Sequence, residues 1–224
     1  MKLDARTVQI LKNFSAINPS LQFTQGKTLV TVSPATTTVA KAVISEEVPS
    51  SFAIHNLSRF LGVISLFDNP DLDIGETQVV VSSGNQKVNY TFGDPRLVVS
   101  PSPKLLQWIE SGVPTPELTF TLTADTLHKV MEAMKIMQLP EIAVTGEDGS
   151  LYIEAIDSKN PDADKFRIQL GKSDYTFKMI FKADNIKLMH GDYTVGICSS
   201  GLATFVGPEV NYWITCEEKS TFNK

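Results

Sequence analysis

Three histidines, two cysteines and two dense runs of carboxylates are the side chains best suited to bind a metal or move a proton, and their spacing argues against both uses. His55, His128 and His190 lie far apart along the chain, each at the edge of an expected helix, without a second ligand or acid–base partner at short range. Carboxylates crowd residues 68–73 and 157–164, but neither run has the D-x-[DN]-x-[DN]-G spacing that folds a loop around calcium. Lys159 and Pro161 interrupt the second, so both read as solvated turns. Cys198 and Cys216 stand 18 residues apart in a chain without secretory features and read as buried thiols. Phosphate-loop, GxGxxG, HExxH and GxSxG patterns are all missing. The expectation is a non-enzymatic protein with no metal and no cofactor.

Ionic attraction is the chemistry that remains. Over 224 residues, 20 lysines and arginines face 25 aspartates and glutamates, a net −5 that disfavours nucleic acid if the charges are spread evenly. They are not. The segments that read as helices, with their flanks, hold eight cations (Lys2, Arg6, Lys12, Arg59, Lys129, Lys135, Lys182 and Lys187) against four anions (Asp4, Asp125, Glu132 and Asp184). Strands and loops hold 12 cations against 21 anions. A cationic helical layer on an acidic protein can meet phosphate on that one face. The competing reading is that helices carry solvated lysines everywhere. Opposite the first helix's apolar stripe lie Ala5, Gln9, Lys12 and Ala16, with Lys2 and Asn13 at its flanks. Such a surface suits loose contact with a phosphate backbone, since base reading would want clustered Arg, Asn and Gln. No aromatic residues interleave the cations to stack bases. The matching face of the third helix, with Asp125, Lys129, Glu132 and Ile136, is near neutral.

Hydrophobic periodicity supplies the elements that must position these groups. Leu3, Thr7, Ile10, Phe14 and Ile17 recur at helical spacing and predict a helix over 4–18. A second, apolar on most sides, is expected over 56–67, ending before the turn-rich DNPDLDIG at 68–75. Leu127, Val130, Met131, Met134 and Met137 predict a third, from 123 or 125 to 137, limited by Pro140. A short fourth is expected over 183–189, stopped by His190-Gly191-Asp192. Strands are expected at 21–23, 29–32, 38–44, 79–81, 88–92, 118–122, 142–144, 151–153, 166–170, 177–181, 194–197 and 210–215. The order repeats at an offset of about 120 residues, and FAIHN at 52–56 matches FKADN at 181–185, so the chain reads as an internal duplication. The fold class is α+β: two similar domains, 1–100 and 117–224, each with two helices on antiparallel β-sheets, joined by the proline-rich connector 101–116. With 42% apolar residues each half can bury a core. No run of 18 apolar residues occurs and MKLDARTVQILKNF lacks a signal peptide's apolar block, so a cytoplasmic protein is expected.

LKNFSAIN (11–18), NLSRFLGVISL (56–66), DPRLVVSP (94–101), FKMIFKADNIKLMHGDYTV (177–195) and NYWITCEE (211–218) together resemble the DNA polymerase sliding clamps, or processivity factors, of T-even-like bacteriophages. No single string is diagnostic, because clamps have no catalytic signature; collinearity over almost the whole chain carries the resemblance. It implies the duplicated sliding-clamp fold and a homotrimeric ring, with helices lining the hole and sheets outside. Such a ring encircles duplex DNA regardless of sequence and tethers the replicative DNA polymerase. Twelve helices spaced about 10 Å apart leave a hole of roughly 28 Å, enough for a duplex roughly 20 Å wide, whereas eight leave roughly 15 Å.

The resemblance also distributes roles. Lys12, Arg59, Lys129, Lys135 and Lys187, with Lys2 and Arg6, fall on the DNA side. Val98, Val99, Leu105, Leu106, Trp108 and Ile109, in or beside the connector, fall at an apolar pocket for partner peptides, although a tryptophan there is as readily a packing residue. A threefold ring joins head to tail, and an edge strand from each domain is the natural joint. That sets Val79, Val80, Val81, Val88, Tyr90 and Phe92 against Phe166, Ile168 and Leu170. Further implied partners are an ATP-dependent clamp loader and late-transcription factors (viral transcription), with no membrane, in the cytoplasm of an infected bacterial host. The alternative from another class is a structural β-rich phage subunit of tail or capsid, whose helical layer packs against its neighbours.

Overall fold

A computed structural model describes residues 1–160 and 162–223 and separates the chain into two units, Met1–Gly112 and Val113–Lys224. In the first, α1 (Ala5–Ile17) starts where Asp4, in extended conformation, accepts the Thr7 N–H at 2.6 Å, and it turns Thr7, Ile10, Leu11, Phe14 and Ile17 inward. β1 (Leu21–Phe23), β2 (Gly26–Val32), β3 (Thr38–Val48) and β4 (Phe52–Ile54) follow. β1 pairs antiparallel with β4, and β2 with β3, placing Val30 opposite Lys41 and Thr28 opposite Val43. α1 packs on β2 and β3 and lies beside α2 (Leu57–Ile64), which buries Leu57, Phe60, Leu61 and Ile64. β5 (Asp71–Ile74), β6 (Gln78–Ser83) and β7 (Gln86–Thr91) form an antiparallel sheet with β6 in the middle. A 3-10 turn, Pro95–Leu97, and α3 (Pro103–Ser111) complete the unit.

Two of these elements depart from expectation. The stretch 68–75, read as turns, contributes β5: its D-L-D-I alternation buries Leu72 and leaves Asp71 exposed. Met1 adds backbone pairing, accepting the Leu72 N–H at 2.7 Å while its ammonium donates to Leu72 O at 2.6 Å. The proline-rich segment 101–116 holds a nine-residue helix, α3. Ser102 accepts the Leu105 N–H at 3.2 Å, and Pro103 occupies the first helical turn, where a missing N–H removes no helical bond.

The second unit runs β8 (Leu118–Leu122), α4 (Ala124–Ile136), β9 (Glu141–Glu147), β10 (Ser150–Ile156), β11 (Phe166–Lys172), β12 (Thr176–Lys182), β13 (Tyr193–Cys198), β14 (Leu202–Val206), β15 (Val210–Thr215) and β16 (Thr221–Asn223). Hydrogen-bonded neighbours run β8-β13-β14-β15 and β11-β10-β9-β12-β16, all antiparallel. The β9–β10 hairpin turns through Asp148 and Gly149, both at positive φ (50° and 74°), the pairing that a tight hairpin's twist demands. α4 is capped by the Thr123 hydroxyl and packs on β9, β10 and β11 through Val130 and Met134. The helix expected over 183–189 is corrected to a 3-10 turn of three residues, Ala183–Asn185. Lys182 before it makes no side-chain cap, and Ile186, at φ −88° and ψ 78°, leaves helical geometry directly after the turn. The α+β design of antiparallel sheets covered by helices stands in both units, with α1, α2 and α3 in the first and α4 and the 3-10 turn in the second.

Candidate nucleic-acid interface and peptide groove

α1 and α2 between them contain Arg6, Lys12 and Arg59 and no aspartate or glutamate. The inward stripe of each helix is fixed by its apolar spacing, so these cations are left exposed on the other side. Lys12 and Arg59 form no ion pair among the described residues. The acids sit instead at the start of α1, where a helix's partial positive charge favours them. Asp4 accepts the Thr7 N–H and, at 2.8 Å, the Ser45 hydroxyl, which together hold its carboxyl below the ordinary value. Burial pushes the Glu46 carboxyl up, but hydrogen bonds from the Thr7 hydroxyl (2.7 Å) and the Asp4 N–H (2.5 Å) outweigh it and bring it down. Lys2 lies 3.8 Å from Asp71.

In the second unit Lys129 and Lys135 are exposed on α4. Lys129 pairs with Asp125 at 2.8 Å one turn earlier, while Lys135 has no ion pair among the described residues. Lys187 follows the 3-10 turn instead of riding a helix, and lies 3.7 Å from Asp184. Exposed pairs of this kind are worth about 0–1 kcal/mol, so a phosphate can displace the carboxylate at little cost.

A groove of about 380 Å³ separates α3 from the outer face of β1 and β2, lined among others by Gln22, Thr28, Val30, Leu106, Ile109 and Glu110. Of the six residues expected at a partner pocket, Leu106 and Ile109 line it and four do not. Val98 is buried, Val99 and Leu105 stand outside the lining, and Trp108 packs against the end of its own helix, so close that a Cβ on Gly112 would meet its ring at 2.8 Å. The polar wall of β1 and β2 escaped sequence reasoning. Its available signal was the β2 alternation, with Leu29 buried between outward Thr28 and Val30. Asn18, buried, holds the chain leading into α3 by donating from Nδ2 to Val99 O at 2.8 Å and to Val32 O at 2.9 Å. Near the other end Lys41 Nζ meets Glu110 Oε1 at 2.5 Å, which lowers the Glu110 carboxyl.

The expected joint residues need a correction too. Val79, Val80 and Val81 belong to β6, the central strand of its sheet, and Val79 and Val81 are fully buried, so they form core and not an edge. β7 is, with β5, an outer strand of that sheet and bears half-exposed Val88 and Tyr90; the Tyr90 hydroxyl donates to Asn56 O at 3.2 Å. Phe92 lies just past β7 and stacks on Phe52 with ring centroids 4.9 Å apart. Phe166, Ile168 and Leu170 lie half-exposed on β11, an outer strand of its own sheet. β11 is pinned inward by Arg167, whose Nε donates to buried Glu154 at 2.5 Å and Nη2 to Glu147 at 2.9 Å, with its guanidinium 4.3 Å from the centre of the Tyr152 ring.

His55, His128 and His190 are exposed, and among the described residues no three His, Cys, Asp or Glu side chains gather to hold an ion. Both cysteines are free; burial pushes the Cys216 thiol up to about 11. No helix among the described residues is long and apolar enough to cross a membrane.

Residues 2–100 match the family described as DNA polymerase processivity factor, and residues 119–218 match the gp45 sliding clamp, C terminal. The sliding clamp of Vibrio phage KVP40 is 30% identical over 226 residues, covering 97% of this chain and 99% of the relative. That of Enterobacteria phage T4 is 28% identical, covering 99% of each. Among solved structures, A. fulgidus PCNA with the C-terminal region of FEN-1 bound superposes with a TM-score of 0.69 over 97% of this chain and 98% of that one. At 12% identity that likeness is one of fold. The sequence resemblance to the T-even-like phage proteins is borne out, and a structural tail or capsid subunit is not favoured.

Proposed function

This chain belongs to the sliding clamps, DNA polymerase processivity factors of bacteriophages, and from that premise we propose that three copies close head to tail around duplex DNA and hold the replicative polymerase on it. One observation carries the DNA-facing side of the proposal: α1 and α2 hold three cations and no anions in a protein of net charge −5. Phosphate contact through Lys12, Arg59 and Arg6, with Lys135, Lys129, Lys187 and Lys2 contributing less, is weak and blind to sequence. Weak contact suffices, because an encircled duplex cannot leave sideways. The mechanism is topological and non-catalytic.

Ring closure joins β7 of one copy to β11 of the next, two outer strands that supply unpaired backbone groups for a continuous ladder. The groove beneath α3 receives a linear peptide of the polymerase. In support, A. fulgidus PCNA was solved bound to the C-terminal region of FEN-1. Late-transcription factors use the same groove in turn, and an ATP-dependent loader opens the ring, all in the cytoplasm of the infected host. Native mass across a dilution series tests the assembly: a species of three chains is expected, and open-ended or much larger assemblies would instead point to a structural subunit.

A further inference from the structure

We infer that the groove beneath α3 selects peptides carrying a carboxylate beside their apolar anchors, with Lys41 reading that carboxylate and Glu110 standing in for it when the groove is empty. The inference rests on the groove being a partner-peptide site. Lys41 is the direct cross-strand neighbour of Val30, so the two side chains share the face that forms the groove wall. Its ammonium meets Glu110, itself part of the lining, at 2.5 Å.

The pair is asymmetric: the Lys41 side chain is 24% exposed and that of Glu110 63%. A largely covered ammonium needs an anion, whereas the glutamate, once released, returns to water. A carboxylate arriving on a peptide can therefore replace Glu110 without stranding a charge. A neutral peptide must leave the internal pair in place or break it without compensation. Val30, Leu106 and Ile109 supply the apolar lining, and Val43, opposite Thr28 on the same face, extends it at 66% exposure. Exposed Lys104 in the first turn of α3 adds to the positive side, and Glu110 is the one acid in the lining. Ile109, the one buried residue of α3, keeps that end of the helix in place through the exchange at Glu110.

Selection of a random heptapeptide library on the immobilised full-length protein tests this. Winners are resynthesised in pairs with Glu or Gln at the enriched position and titrated by fluorescence anisotropy. Acidic residues next to leucine or phenylalanine are expected, with the acidic member binding about tenfold more tightly. The acidic-to-neutral ratio should fall to near one in Lys41→Gln, survive in Lys41→Arg and widen in Glu110→Gln. A ratio untouched by Lys41→Gln, or Glu110→Gln strengthening both members equally, overturns the inference while leaving the groove a peptide site. Leu106→Ser should weaken both members alike. If no peptide is selected, or if Leu106→Ser changes nothing, the peptide-site reading fails and takes this inference with it.

Discussion

Asn56 and Asn185 stand at matching points of the two units, each four residues after a strand phenylalanine, yet they lead into different structures. Asn56 stays extended and accepts the Arg59 N–H at 2.8 Å, launching α2 with its four buried residues at helical spacing. Asn185 closes a 3-10 turn that has no side-chain cap, and the following IKLMHG reaches glycine within six residues, leaving Ile186 as the buried anchor. A repeat position alone does not make a helix in this fold. It takes a cap and a stripe long enough to bury.

Breaking the stripe should have the largest effect. Phe60→Ala, at a fully buried α2 position, is expected to cost about 3–5 kcal/mol by denaturant unfolding, and Ile186→Ala in the turn about 2–3 kcal/mol. Equal losses would mean the turn is as deeply integrated as the helix. Removing the cap comes next: Asn56→Ala should cost about 1 kcal/mol, as should Thr123→Ala at α4, while truncating Lys182, which caps nothing, should stay within about 0.5 kcal/mol.

Acid separates the helices by the chemistry of their caps. The folded-state carboxyls of Asp4 and Glu46 lie below their ordinary values, so their stabilisation is full above those values and is lost as pH falls through the folded ones. Between about pH 5 and about pH 3, amide protection should fall at the start of α1 before the start of α2, whose Asn56 amide cap does not titrate. Simultaneous loss would assign the acid sensitivity elsewhere. Smallest in stability, and sharpest for function, are Lys12→Gln and Arg59→Gln. Each should shift unfolding by less than about 0.5 kcal/mol and lower the salt slope of DNA contact by about one, with Lys187→Gln doing less because Asp184 already occupies it.

What the sequence made legible was local. α1, α2 and α4 announce themselves by stripes that start at a capping side chain, β2 and β3 by alternation, and β9 by a short apolar run. β5 did not, because its four alternating residues sit among aspartate, asparagine and proline that also spell a turn. Val79 and Val81 were misplaced because a period-two run looks the same in a central and an outer strand; the neighbours decide which it is. The groove was half legible. Leu106 and Ile109 lie in the proline-rich segment itself, but its opposite wall comes from β1 and β2. Its two anchors join residues 81 and 69 positions apart, Asn18 to Val99 and Lys41 to Glu110, a separation no local pattern reports.

Retention on DNA after loading tests the central claim most directly. Labelled protein loaded onto nicked circular duplex should remain bound through a high-salt wash, then leave at once when the circle is cut to a linear form with free ends. Equal loss from circular and linear DNA would contradict a topological hold and leave ordinary surface binding in its place.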